Sequence, residues 1–337
     1  MSIDLTTKYL GLELKNPLVA SASPLTGSVE SLLRLQEAGV SAVVLPSLFE
    51  EQIEHNQNQV HQLYNYQADS FAEALSYFPE LGLDDSDPAK HIGRVAEAKQ
   101  QLEIPVIASL NGHTDGGWAR YSKWMEDNGA DALELNIYFV PTDCEMSGED
   151  VARRYEDLVG SVRNAVSIPL AVKIGSQFTS IPSMVRRLML AGADGVVLFN
   201  RFLEPDLDLT TLKYQPDLVL SAEHEMRLPL RWIAILRDQL TLSLAATSGV
   251  HHAHDLAKLI LAGADVAMVA TTLLRRGVGY ATVMLDELRT LFEEYEFESV
   301  SQVKGSMSMA NCPDPSTLGR ANYMQALIDY TADFNRA

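Results

Sequence analysis

The 337-residue chain has few cysteines: Cys144 and Cys312 are its only two. Two thiols are too few for a disulfide scaffold, an iron–sulfur cluster on four thiolates or a thiolate zinc site. A reducing, cytoplasmic compartment is the expectation. Positive charge is also scarce: 26 Lys and Arg face 45 Asp and Glu, a formal net charge of −19. Such a surface repels phosphate backbones and anionic lipid, so neither nucleic acid nor a membrane is the expected partner. No run approaches the ~18 apolar residues of a membrane span. The opening MSIDLTTKYLGLELKNP lacks the layout of a signal peptide. No glycine-rich dinucleotide turn follows the first apolar strand, which argues against a doubly wound open sheet.

What the sequence does have is a repeated phrase. EAGVSAVVLP (37–46), DNGADALELN (127–136), LAGADGVVLFN (190–200) and LAGADVAMVAT (261–271) each follow an amphipathic helical pattern. Each places a glycine, Gly39, Gly129, Gly192 or Gly263, where a helix must stop, because glycine accepts the left-handed conformation that closes it. A small residue, an Asp or Ser and an apolar strand follow. NPLVASAS (16–23), IPVIASLNG (104–112), IPLAVKIG (168–175) and LSLAATSGV (242–250) fill the gaps. Eight apolar strands alternating with helices predict a fold of the α/β class: one (β/α)8 TIM barrel over 1–337, with a helical packing tail at 294–337. The long connections 48–88, 138–147 and 201–228 all follow the C-terminal end of a strand, so these insertions are expected over the active face.

Polar groups gather at those strand ends. Strand one ends near Ser21, strand three at Asn111 with His113 beyond, strand four at Asn136 and strand six at Asn200. Lys173 sits in the apolar run LAVKIG. A lysine there either reaches an acidic partner or aims its charge at a ligand. Asn136 and Asn200 are either capping amides or ligand contacts. The turn at Gly249 leads into a helix near Ala253, and Thr271 and Thr272 open the next one. Helix starts after the last two strands of a barrel make a phosphate cradle. His251, His252 and His254 could be read as a metal cluster, but near-adjacent loop histidines seldom supply zinc geometry, and no metal is expected.

These residues resemble the dihydroorotate dehydrogenases, most closely their soluble single-domain class, from NPLVASAS through the last barrel helix. Asn16 to Ser21 match the family's opening strand, Asn136 its fourth-strand asparagine, Lys173 its flavin lysine, Asn200 in LFNR its sixth-strand asparagine, and ATSGV, in part, its G-T-G-G-[IV] loop. The resemblance implies FMN, held by Ser21, Asn136, Lys173, Asn200, Ser248, Gly249, Ala270 and Thr271. It implies hydride transfer between a small carbon acid and flavin N5, with a soluble electron acceptor or an unseen partner and with a homodimer left open. The chain departs from the family around the substrate. The family's N-x-S-x-P-N loop carries a Cys or Ser base, whereas NIYFVPTD puts Phe139 near that place. Pro46 replaces the second-strand lysine, and the orotate-binding segment is not visible in 48–88. Cys144 and His113 are the candidate catalytic bases; Asp143, Tyr138 and His224 lie in the same insertions or near them. Two other readings use the same residues: a Schiff-base lyase acting through Lys173 on a phosphorylated carbonyl, and a flavin-binding protein without catalysis.

Overall fold

The computed structural model describes residues 3–49, 88–112, 117–202, 204–216, 218–319 and 323–334. Eight parallel strands close a barrel in chain order: β1 (Leu18–Ala20), β2 (Ala42–Phe49), β3 (Val106–Gly112), β4 (Ala132–Ile137), β5 (Leu170–Ile174), β6 (Gly195–Leu198), β7 (Ser243–Thr247) and β8 (Val266–Val269). Around them lie α1 (Val29–Glu37), α2 (Pro88–Gln101), α3 (Trp118–Asp127), α4 (Gly148–Ala165), α5 (Ile181–Leu190), α6 (Arg227–Leu236), α7 (Ala253–Ala262) and α8 (Tyr280–Glu294). The expected (β/α)8 barrel is present.

Strand parity divides the core. Leu133, Leu135 and Ile137 of β4 face the helices and join the main apolar cluster, whereas Ala132 faces inward with Ala171, Val197, Ala245 and Val266. Tyr9, Leu10 and Leu14 belong to that inner cluster. They come from an N-terminal hairpin, Thr7–Tyr9 with Leu12–Leu14, that seals the barrel floor. Its Leu10 N–H donates to Ser243 Oγ at 3.0 Å, and Thr7 Oγ1 donates to the Asp265 carbonyl at 2.9 Å.

The repeated phrase has a structural role at that floor. Asp131, Asp194 and Asp265 each begin the strand of their repeat. Through Oδ2 they accept the N–H of Val106 at 2.7 Å, Leu170 at 2.9 Å and Leu244 at 2.8 Å, all at the start of the preceding strand. Each carboxylate also meets a cation from the end of an earlier helix: Lys99 at 2.7 Å, Arg163 at 3.0 Å and Arg237 at 3.4 Å. The glycine of the phrase makes room for that reach. A Cβ on Gly192 or Gly263 would stand 2.5 Å from Cγ of Arg163 or Arg237, at φ of 109° and 120°. In the first repeat, Ser41 Oγ donates to the Leu18 carbonyl at 2.9 Å.

Two connections differ from expectation. The stretch 201–228 is not plain loop. It folds into an antiparallel hairpin, Pro205–Asp208 with Lys213–Pro216, and a short turn, Glu223–Met226. The tail packs only in its first part, where the N–H groups of Gly305, Met307 and Met309 donate to carbonyls of Ile260, Leu261 and Ala234 at 2.8–3.0 Å. The last helix, Tyr323–Phe334, leaves the side chains of Met324, Leu327, Ile328 and Tyr330 exposed.

Asp265 is the most heavily used of the carboxylates, because Lys304 also reaches it at 2.7 Å. Asp265→Ala would strand two cations and a backbone N–H, at a cost of about 3–5 kcal/mol. Urea unfolding should show that loss, and an effect under about 1 kcal/mol would mean the contact is dispensable.

Candidate active site

The barrel register lines up Asn111, Asn136 and Lys173 on β3, β4 and β5 at the C-terminal mouth. Asn200, just beyond β6, is tied in by its N–H to the Ile174 carbonyl at 2.8 Å. Its Nδ2 donates to Asn136 Oδ1 at 2.8 Å, which fixes how both amides face. Lys173 is buried, with Nζ 3.5 Å from Glu134 Oε1. Lys173 therefore has the acidic partner that one reading expects, and the register also sets it level with Asn136 near the mouth. Ser21 is buried at the end of β1, its N–H donating to the Val269 carbonyl at 2.9 Å.

The turns after β7 and β8 lie against each other. Ser248 and Gly249 are successive left-handed residues, at φ of 78° and 72°. A serine thus holds a conformation that usually asks for glycine. Gly249 itself is obligatory, since a Cβ would lie 2.3 Å from the Met226 nitrogen. Thr272 Oγ1 donates to the Val250 carbonyl at 2.6 Å, and Ser221 Oγ meets Thr271 Oγ1 at 3.0 Å. Ala270 caps the short helix Thr271–Arg276. At the start of α7, Asp255 accepts the N–H groups of His251 and His252 at 3.0 Å each. The histidine rings diverge: His251 Nε2 contacts the Ser221 carbonyl and His252 Nε2 contacts Glu223, each at 3.1 Å. His252 in turn holds the Glu223 carboxyl below its ordinary range.

The loop 138–147 has two faces. Tyr138 continues the inward parity of Asn136 and packs on Phe202, with ring centroids 4.3 Å apart. Phe139 turns outward, under the Arg154 guanidinium of α4 at 4.2 Å. Cys144 is exposed, its Sγ turned to Glu145 Oε1 at 3.9 Å. His113 and residues 50–87 lie outside the described residues. Beside the mouth is a cleft of about 980 Å³, lined by Gln177, Asn200, Phe202, His224 and Ser248 among others. His224 therefore belongs to the cleft wall.

Dihydroorotate dehydrogenase is the family whose model matches, over residues 4–292. The chain belongs to the dihydroorotate dehydrogenase family. That family consists of flavin-dependent oxidoreductases. Similar curated proteins include the "dihydroorotate dehydrogenase B (NAD(+)), catalytic subunit" of Thermoplasma volcanium, 24% identical over 90% of this chain and 98% of the relative. The protein of the same name from Methanocaldococcus jannaschii is 23% identical over 86% and 94%. The "dihydroorotate dehydrogenase A (fumarate)" of Lactobacillus helveticus is 26% identical over 62% and 69%. Membership supports the oxidoreductase reading and not the lyase or the non-catalytic one. Among the described residues, no helix is long and apolar enough to cross a membrane.

Against the family pattern, Phe139 at the base position is not merely unable to accept a proton; it also points away from the mouth. Glu134, absent from the candidates above, is the side chain that stands against Lys173. The available signal for Glu134 was a carboxylate two residues before Asn136, hence on the same inward face. At β2, Pro46 stands at a register shift between Val44 and Ser47, and Ser47 Oγ meets Ser109 Oγ at 2.7 Å.

The carbonyl of Pro46 bonds His91, whose ring is buried and pushed down to about 4, chiefly by desolvation. The folded protein keeps His91 neutral, while the unfolded chain takes up its proton near pH 6.5. The unfolded state therefore binds more protons between those values. Stability should fall as pH drops from about 6.5 to about 4, by about 3 kcal/mol in full. Urea unfolding across that window should show the slope in the wild type and lose it in His91→Phe; an unchanged slope would assign it to other groups.

Proposed function

We propose that the chain, as a single domain, binds FMN at the barrel mouth and moves a hydride between the flavin and a small carbon acid. The observation that carries this is the buried Lys173 beside the fixed Asn136–Asn200 pair, next to two turns shaped for an anion. The donor chemistry fits FMN. Lys173 would stand at the N1–O2 edge, where reduction adds charge. Asn136 and Asn200 would bind the polar edge of the ring, with Ser21 at the adjoining strand end. Ser248, Gly249, Ala270 and Thr271 would hold the phosphate through backbone N–H groups and hydroxyls. Bound FMN would supply the hydride acceptor or donor.

The protein's own part is positioning, charge and proton transfer. Tyr138 and Phe202 form an aromatic wall that helps exclude water from the mouth. Cys144 and His113 remain the proposed proton acceptors, and Cys144 would have to swing in from its exposed position. Tyr138 is the ionisable group of that loop already turned inward. A cytoplasmic setting, with electrons leaving to a soluble acceptor or to a separate subunit, fits an acidic surface and relatives named as catalytic subunits.

The cofactor is checked by releasing it from purified protein and running it against standards. FMN is expected; FAD, or no flavin after reconstitution with excess FMN, would overturn the reading. The substrate side predicts slow turnover or none with dihydroorotate, because general-base help is typically worth ~10²–10⁴-fold and Phe139 cannot give it. Pro46 also removes a cation from the substrate edge, and a site without matching partners discriminates poorly for a ligand. Anaerobic mixing with dihydroorotate should leave the oxidised-flavin band nearly unbleached over seconds, and fast, saturable bleaching would refute this.

A further inference from the structure

Glu134 carries a charge where few carboxylates are found. It is 1% exposed inside the barrel, and neither of its oxygens has a hydrogen-bond partner among the described residues. Burying a carboxylate without hydrogen bonds is costly unless a counter-charge stands close. That counter-charge is the Lys173 ammonium, 3.5 Å away in an ionic contact without hydrogen-bond geometry. The register orders the two charges along the barrel axis. Lys173 is level with Asn136, while Glu134 is level with Ala171, two residues deeper. The register therefore roots the lysine nearer the mouth and the glutamate nearer the floor.

Among the described residues, the groups beneath do not supply a second cation to Glu134. Tyr9 of the floor hairpin is fully buried, and desolvation, with the charges of Glu134 and Asp265, holds its phenol well above the usual range and so uncharged. Its hydroxyl has no partner among the described residues. Asp265 is already engaged by Lys304 and Arg237.

We propose that Glu134 is a positioning residue that anchors the Lys173 ammonium under the flavin and lowers the flavin's reduction potential by cancelling much of that cation's field. This rests on the FMN reading of the same mouth. A bare ammonium at the N1–O2 edge would stabilise the charge added on reduction more strongly than an ammonium backed by a carboxylate, because the two fields oppose each other. With the pair intact, reduced flavin holds its electrons less tightly and passes them on more readily to an acceptor.

The test uses the full-length, FMN-loaded protein. The midpoint potential is measured by anaerobic dye-equilibrium titration at one fixed pH for all variants. Four proteins are compared: wild type, Glu134→Gln, Lys173→Met and the double variant. Glu134→Gln should have the highest potential and Lys173→Met the lowest. The wild type should lie above the double variant, because the cation sits nearer the ring than the carboxylate does. A purely structural Glu134 would lower the melting temperature of Glu134→Gln and leave its potential unchanged, and that result would overturn the proposal. If Glu134→Gln does not fold, the neutral double variant still decides: its potential must exceed that of Lys173→Met, and equality would overturn the proposal. Bound flavin with an unchanged potential defeats this inference alone, whereas a wild type that takes up no flavin defeats the cofactor reading beneath it.

Discussion

An aspartate at the floor of the barrel governs much of what lies above it. Asp131, Asp194 and Asp265 each clamp an N–H at the start of a neighbouring strand, so they fix the stagger between strands. In a parallel barrel, a slip of one residue would turn every inward side chain outward. The alignment of Asn111, Asn136 and Lys173 at the mouth, far from these carboxylates, depends on that stagger being held. Catalytic groups at the tops of strands can then sit on loops free to vary, since register is set at the other end.

The mouth itself divides into two halves of unequal conservatism toward the family pattern. On the side proposed to hold the flavin, the amide pair, the buried lysine and the two turns are assembled, and even a serine at Ser248 keeps the backbone shape that glycine would give. On the substrate side, Phe139 is turned out to Arg154, and Pro46 gives its carbonyl to His91. These are changes in which chemistry the loops present, while the scaffold that presents them is unchanged.

Much of this was legible in the sequence. Four copies of a glycine–small–Asp/Ser phrase, read with the apolar strands between them, were enough for eight strands and closure. The candidate residues Asn136, Lys173 and Asn200 were found because amides and a lysine at the ends of apolar strands are costly to leave without purpose. What escaped were relations across the barrel. Nothing local pairs Glu134 with Lys173, 39 residues away in sequence, nor Tyr138 with Phe202. The outward turn of Phe139 depends on Arg154 of α4, and the hairpin within 201–228 lacks a tight two-residue turn signal that would have announced it. The aspartates were seen as a repeat, but their clamp on the strand before, with a cation from an earlier helix, is visible only in three dimensions.

That clamp also describes how the barrel is joined. Each hydrogen bond from an Asp or Ser of the phrase lies within a quarter of two strands and two helices. Lys99, Arg163 and Arg237 reach across from one quarter to the next. The first quarter has Ser41 in place of an aspartate, and beside Gly39 the space is filled by Leu285 of α8. Three of the seams are therefore ionic; the fourth, where the ring shuts, has Leu285 and a hydrogen bond from Thr282 Oγ1 to the Ala38 carbonyl at 2.9 Å. Salt weakens exposed ionic contacts and leaves apolar ones intact or strengthened. The molecule is thus a bracelet of four links with three charged joints and an uncharged clasp, and ionic strength acts on the joints before the clasp.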